Sequence, residues 1–336
     1  MIRTKGKNVL VTGAAGFIGS HVARELLASG YRVVALDDLS GGFRDNVPEG
    51  AIFVKGSILN QKLVEDLFAQ YKFDYVFHLA AYAAEGLSHF IKRFNYMNNL
   101  IGSVNLINES IKGQVKCFVF TSSIAVYGTN QVPMIEHMVP QPEDPYGISK
   151  LAVEQELHSS AKMFGMDYII FRPHNVYGEH QNTGDPYRNV IGIFMSRIMR
   201  DQPILIFGDG EQKRAFSHIS DVAPVIASSI QNKKCYGETF NVGADKVYTV
   251  NQLADMVMKV MGKKVKKIYA KERNEVKVAY CSHVKAKKFF KKHTSSDLET
   301  GLTQMAAWLE TAGIRKSRPM KNIEIYKNLP ESWRSV

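Results

Sequence analysis

Cysteine, acidic charge and long apolar runs are all scarce in this sequence of 336 residues. The three cysteines, Cys117, Cys235 and Cys281, lie too far apart for a CxxC redox pair or a zinc cluster, so reduced structural thiols and no bound metal are expected. No stretch of about 18 uninterrupted apolar residues is present, and Met1 to Asn8 is a short basic segment without the apolar centre of a signal peptide. These absences predict a soluble, cytoplasmic chain with no membrane partner. Neither an internal repeat nor a low-complexity linker interrupts it.

Acidic residues number 32 against 43 Lys and Arg, a formal charge of +11. Such a surplus can attract nucleic acid, acidic membranes or phosphorylated small molecules. Much of it falls late, in Lys263, Lys264, Lys266 and Lys267 and again in Lys285, Lys287, Lys288, Lys291 and Lys292. Val265, Ile268, Phe289 and Phe290 are interleaved at spacings that seat one face on a core, and no aromatic-studded basic groove accompanies them. Solvated faces of ordinary elements are expected there, and no nucleic-acid partner.

A hydrophobic fraction of 45% over this length can bury a substantial core in one large or two fused domains. The first half alternates short apolar runs with helical patterns, the rhythm of parallel βαβ units. Strands are predicted at Asn8–Thr12, Arg32–Leu36, Ile52–Val54, Tyr75–Leu79, Phe118–Ser122 and Tyr168–Phe171. Helices are predicted at Phe17–Ala28, Lys62–Gln70, Phe90–Ser110 and Tyr146–Phe164, each with apolar residues at i, i+3 and i+4. The fold class is therefore α/β, a doubly wound parallel sheet with ligands at the carboxyl ends of its strands. After Arg172-Pro173 the texture changes to a polar loop and shorter mixed elements. The predicted division is a dinucleotide-binding domain over 1–173, to which segments near 215–245 return, and a smaller α/β substrate domain over 174–336, with the cleft between them as the site.

The run Val9-Leu10-Val11-Thr12 leads straight into Gly13-Ala14-Ala15-Gly16-Phe17-Ile18-Gly19 and a helix. Gly13 permits the tight turn, Gly16 lets the backbone approach a pyrophosphate, and Gly19 lets the helix lie close to the sheet. The free N–H groups of the helix start face the phosphates. Asp37 ends the second strand about 20 residues on, where a carboxylate accepts hydrogen bonds from an adenosine ribose diol and repels a 2′-phosphate. Asp38 follows where an NADP site would place arginine, so NAD is the expected cofactor.

Tyr146 and Lys150 stand four apart at the start of a helical pattern and project from one face. A nearby ammonium favours phenolate over phenol, which makes Tyr146 a candidate general base. Thr121-Ser122-Ser123 at the end of the preceding strand supplies hydroxyls towards the same place.

With these residues in view, the chain resembles the extended short-chain dehydrogenase/reductases, the branch of NAD-dependent nucleotide-sugar epimerases and dehydratases, and most of all its UDP-glucose 4-epimerases. The resemblance spans nearly the whole chain through Thr12 to Gly19, Asp37, His78-Leu79-Ala80-Ala81, Asn98-Asn99, Ser123 before Val126-Tyr127-Gly128, Tyr146 to Lys150, and Arg172-Pro173-His174-Asn175-Val176-Tyr177-Gly178. It implies that Ser123 holds the substrate hydroxyl, Tyr146 transfers the proton, and Lys150 lowers the tyrosine pKa and grips the nicotinamide ribose. It assigns NAD to Gly13, Ala15, Gly16, Phe17, Ile18, Gly19, Asp37, Asp38, Ser57, Ile58, Leu79, Ala80, Ala81, Asn99 and Pro173, together with Tyr146 and Lys150. Asn175, Asn189, Val190, Leu205 to Phe207, Arg214 and Arg273 match positions that hold the nucleotide and its diphosphate, and Glu85 lies beside the expected sugar.

Dehydratases of this branch carry an Asp-Glu pair directly after the hydroxyl residue, and uronate decarboxylases a glutamate there. Ile124 and Ala125 occupy those positions here, and alkyl groups shuttle no protons. The resemblance thus implies epimerisation at C4 of a nucleotide sugar, UDP favoured, as hexose or hexuronic acid, through a transient 4-ketone. Another nucleotide-sugar oxidoreductase of the same branch (4,6-dehydratase, decarboxylase, reductase or 3,5-epimerase) and a non-catalytic dinucleotide sensor are the alternatives. Departures from the glucose epimerase pattern lie at Ala83, at Ser57 and in the polar loop Glu179 to Arg188, where His180 and Arg188 either recognise a carboxylate or face solvent. A homodimer is implied through the helices Phe90–Ser110 and Tyr146–Phe164, with Met97, Leu100, Val104, Leu151 and Leu157 shared between an interface reading and a core reading.

Overall fold

A computed structural model describes residues 6–129, 131–272, 276–290, 296–317, 320 and 322–334. Its largest sheet is built from β1 (Asn8–Thr12), β2 (Arg32–Asp37), β3 (Ile52–Lys55), β4 (Tyr75–His78), β5 (Cys117–Thr121), β6 (Tyr168–Pro173) and a seventh strand, Glu238–Val242. All neighbours run parallel, in the order Glu238–Val242, β6, β5, β4, β1, β2, β3. Strand order reverses between β1 and β4, and a crevice opens there at the carboxyl ends, the switch point at which such sheets bind ligands. Apolar residues cover both faces, as a parallel sheet requires. Val9, Val11, Phe77 and Val119 point to one side, and Leu10, Val34, Val76, Phe118 and Phe120 to the other, all essentially inaccessible.

The predicted strand and helix bounds agree with the structure to within a residue or two, with two differences. The sheet has a seventh strand, and Phe90–Ser110 is not one regular helix. Its body is the α-helix Lys92–Tyr96, a π-helical stretch Met97–Ile101 and the α-helix Gly102–Lys112. The wider turn falls on Asn98 and Asn99, and such bulges redirect side chains at functional sites.

The second half contributes a separate core around Tyr177, Phe194, Met195, Leu253, Leu302 and Leu309, beneath the helices Val190–Met199, Val250–Val260 and Leu298–Ala312. The helices Ile219–Ser228 and Val284–Phe289 instead bury Val222, Ile226 and Ala286 against the large sheet. The chain therefore crosses the cleft several times. Among the described residues no helix is long and apolar enough to cross a membrane.

Candidate active site

The glycine turn between β1 and the helix Phe17–Ala28 is set by close backbone approach. Gly13 has φ +70°, and a Cβ there would lie 2.7 Å from the Ala80 nitrogen. A Cβ on Gly19 would lie 2.1 Å from the Gly13 carbonyl oxygen. No side chain caps the helix at Gly16, so its first N–H groups face the crevice. Behind the turn runs a directed chain of hydrogen bonds. Ser103 Oγ donates to the Asn99 carbonyl at 2.7 Å and lies 2.7 Å from His78 Nε2. Thr12 Oγ1, 2.8 Å from His78 Nδ1, accepts the Ala80 N–H at 3.2 Å. Burial drives His78 down to about 3, so it is neutral and serves as a spacer that fixes Ala80 over Gly13.

Asp37 closes the far side of the turn. Its Oδ2 accepts the Ala15 N–H at 3.0 Å and its Oδ1 the Leu39 N–H at 2.8 Å, which leaves each oxygen a second lone pair. Burial raises its pKa and these backbone bonds oppose the rise. The narrow glycine cradle, the uncapped helix start and the acceptor at the end of β2 form a set that a dinucleotide fits.

On the other side of the crevice, Ser123, Tyr146 and Lys150 converge. Ser122 Oγ donates to Glu154 at 2.5 Å, which leaves the hydroxyls of Ser123 and Thr121 at the cleft. Ser123 Oγ accepts the Ala125 N–H at 3.1 Å, fixing the turn Ile124–Tyr127. Asp144 caps the helix Pro145–Phe164 by accepting the Gly147 N–H at 2.9 Å, which delivers Tyr146 and Lys150 in its first turns. Lys150 Nζ donates to the Thr121 carbonyl at 2.8 Å and lies 5.8 Å from the Tyr146 ring centre. Burial brings the Lys150 ammonium from 10.5 down to about 7, opposed by the Glu154 charge. Burial pushes the Tyr146 phenol well above its ordinary value, and Glu85 adds to that. A hydrogen bond with Ser123 and the positive charge of Arg188 work the other way. Thr121 Oγ1, buried beside Lys150 at the cleft, has no hydrogen-bond partner among the described residues.

These groups line one continuous cleft of about 1780 Å³, roughly twice the upper size of an ordinary single-ligand pocket. It takes in Gly13, Gly16, Phe17, Ile18, Gly19, Asp37, Asp38, Ser57, Ile58, Leu79, Ala80, Ala81, Glu85 and Pro173. It continues past Asn175, Asn189, Val190, Leu205, Phe207 and Arg214. Ala15 and Asn99 stand behind the wall. Ala15 holds Asp37, and Asn99 brackets the Tyr82 main chain, accepting its N–H at 2.7 Å and donating to its carbonyl at 3.1 Å. Asn175 and Asn189 adopt φ +39° and +63°, left-handed backbone that asparagine tolerates better than most residues. Arg214 donates to the carbonyls of Lys213 and Lys277 at 2.9 and 3.1 Å. Arg273 lies outside the described residues.

The loop after Gly178 separates its two basic candidates. Burial lowers His180 to about 4, and its Nδ1 lies 3.1 Å from Asn46 Oδ1, so it is uncharged. Arg188 sits 4.8 Å over the Tyr82 ring, with Nε and Nη2 on Asp185 Oδ2 at 2.7 and 2.5 Å. Residues that sequence reasoning did not single out also line the cleft, chiefly Tyr82, Tyr187, Leu329 and Trp333. Tyr82 carried a signal, since it directly follows His78-Leu79-Ala80-Ala81. Leu329 and Trp333 carried none, because nothing local ties a C-terminal tail to a cleft.

Residues 9–243 match the family model described as the NAD dependent epimerase/dehydratase family. A putative UDP-glucose 4-epimerase from Methanocaldococcus jannaschii is 34% identical over 305 residues, 90% of this chain and 98% of that protein. A Thermotoga maritima UDP-glucose 4-epimerase crystallised with UDP-glucose is 35% identical with a TM-score of 0.86, covering 91% of this chain and 99% of that one. A Bacillus cereus UDP-glucuronic acid 4-epimerase, solved with UDP-glucuronic acid and NAD, is 29% identical with a TM-score of 0.83, again over 91% and 99%.

Proposed function

The chain belongs to the NAD-dependent epimerase/dehydratase family, and on that premise we propose that it inverts C4 of a UDP-hexose through a transient 4-ketone. The observation that carries this reading is the convergence of Ser123, Tyr146 and Lys150 on one cleft wall, followed by Ile124 and Ala125, which supply no acid for loss of water. NAD, when bound, takes the C4 hydrogen as hydride and returns it to the other face. Gly13 to Gly19 hold the pyrophosphate, Asp37 the adenosine ribose, and Ser57 and Ile58 the adenine. Ala80, Ala81 and Pro173 flank the nicotinamide. Ser123 orients the C4 hydroxyl, Tyr146 takes and returns its proton, and Lys150 grips the ribose and draws Tyr146 towards its ionised form. Asn175, Asn189, Val190, Leu205, Phe207 and Arg214 hold the UDP, the arginine by pairing with phosphate oxygens.

A neutral hexose suits the sugar end better than a hexuronic acid. The Arg188 charge is already met by Asp185, and Glu85, Glu143 and Asp144 line the small recess of about 150 Å³ beside Ser123. A C6 carboxylate there would face these three carboxylates, while Arg214 on the same wall bonds main-chain carbonyls and is directed in this reading to the diphosphate. Three free, buried thiols support a cytoplasmic setting. The homodimer reading is supported by Met97, Ile101 and Ile148, each about two-fifths exposed on the two helical segments named above. Leu157 is fully buried and belongs to the core, while Leu100, Val104 and Leu151 are half-buried.

Incubation with a panel of UDP-, dTDP- and GDP-sugars, read by NMR, tests the function. The expected result is inversion at C4 of UDP-glucose or UDP-galactose with no lasting absorbance change at 340 nm. Sustained NADH consumption, or inversion at C3 and C5, contradicts it.

A further inference from the structure

The helix Leu298–Ala312 ends at Gly313, and the chain beyond it turns back across the cleft. Arg315 reaches Asp45 at 2.8 and 2.7 Å and lies 4.6 Å over Phe43. The approach to the loop before Arg188 is close, since a Cβ on Gly184 would lie 1.9 Å from the Arg315 carbonyl oxygen. Further on, the N–H of Glu324 donates to the Phe90 carbonyl at 2.8 Å. The Glu324 carboxylate accepts the N–H groups of Arg93 and Phe94 at 2.8 and 2.9 Å, capping the helix Lys92–Tyr96. Leu329 and Trp333 are then buried to 3% and 5% exposure among Ala84, Leu87 and Ile91. Arg315, Glu324, Leu329 and Trp333 thus tie down the described residues of the tail by ion pair, backbone bond, cap and apolar burial in succession.

Where it ends is the informative point. The Trp333 ring meets Tyr187 edge-on at 5.4 Å and Phe90 at 6.2 Å. A Cβ on Gly86 would lie 3.2 Å from Trp333 Cη2. Trp333 therefore wedges between two segments that come from opposite halves of the chain. One carries Glu85 immediately before Gly86, and the other carries Arg188 immediately after Tyr187. Glu85, Arg188 and Tyr146 line the same cleft, and the charges of Glu85 and Arg188, along with that of Asp144, act on Tyr146. Ile325, Asn328, Leu329 and Trp333 complete the lining of the cleft at that end.

We propose that the segment from Glu324 to Arg334 is the closing wall of the sugar end, and that Trp333 is a positioning residue holding Glu85 and Arg188 on either side of Tyr146. This rests on the epimerase reading for the identity of the sugar. The wall explains how a rigid cleft confines a hexose that has to present both faces of C4 in turn. The uridine end, near Leu205, Phe207 and Arg214, is made without it.

The chain holds two tryptophans, Trp308 and Trp333. In Trp308→Phe, loaded with NAD, emission comes from Trp333 alone, and it should change on adding UDP-glucose and stay constant on adding UDP. An equal response to both, or to neither, overturns the proposal. In the second arm, Trp333→Ala should lower kcat about tenfold or more, as a displaced catalytic geometry does. Bound NAD and the inhibition constant of UDP should be unchanged, and Trp333→Phe should recover activity to within about threefold. Wild-type kcat in Trp333→Ala, or loss of NAD and UDP binding in step with kcat, overturns the positioning role. If Trp333→Ala does not fold, the fluorescence arm decides. A wild-type enzyme that inverts no sugar refutes the proposed function, and the comparison of UDP with UDP-glucose still decides where Trp333 sits.

Discussion

Replacing Glu154 by Gln perturbs both the fold and the chemistry, and the structure sets the size of each effect. Glu154 is wholly buried one helical turn beyond Lys150. Its Oε1 accepts from Ser122 Oγ at 2.5 Å and Arg172 Nε at 2.9 Å, and its Oε2 meets Arg172 Nη2 at 2.5 Å. Arg172 is itself 4% exposed. Glutamine keeps the shape, removes the charge and sets an NH2 against a guanidinium donor. Breaking one partner of a buried pair costs about 3–5 kcal/mol, which for a chain of this size lowers Tm by roughly 4–7 °C. Glu154 is also the charge that supports the Lys150 ammonium against burial. Without it the lysine pKa falls below about 7, so the ammonium is lost at lower pH and the alkaline limb of kcat moves towards acid. Calorimetry and a pH–rate profile of Glu154→Gln measure both effects. Wild-type Tm and an unmoved alkaline limb together would refute the coupling of Arg172, Glu154 and Lys150.

Tyr146→Phe should retain NAD yet lose about two or more orders of magnitude in kcat, checked by cofactor release and turnover on the same preparation. Gly19→Ala forces its methyl onto the Gly13 carbonyl, so it should cost about 1–3 kcal/mol of stability and empty the cofactor site, read by calorimetry and NAD content. Asp37→Ala removes the acceptor at the end of β2 and should weaken NAD binding about tenfold or more, measured by titration of the cofactor-free protein.

Much of this was legible in the residues. The six strands up to Pro173 are short β-branched and aromatic runs bounded by turns, and the helices between them carry a clear 3.6-residue period. The glycine turn and the Tyr146–Lys150 pair are local features in which sequence spacing is also spatial spacing, so they could be read without a fold. That the stretch near 215–245 returns to the first domain was legible, but not that Glu238–Val242 adds a strand beside β6, because that pairing bridges some 70 residues and leaves no local mark. Nor was the π-helical turn at Asn98 and Asn99, from which Asn99 bonds the Tyr82 main chain far off in sequence. Trp333 illustrates the same limit. Its meaning lies in Gly86 and Tyr187, residues far away in sequence from the tail and from each other.

In the proposed reaction hydrogen leaves C4 and returns to that same carbon within one bound complex. UDP-glucose deuterated at C4, incubated with the NAD-loaded enzyme in ordinary water, tests it by NMR of the product. The expected product is UDP-galactose with deuterium retained at C4. Replacement of that deuterium by solvent hydrogen, or its appearance at another carbon, would contradict it.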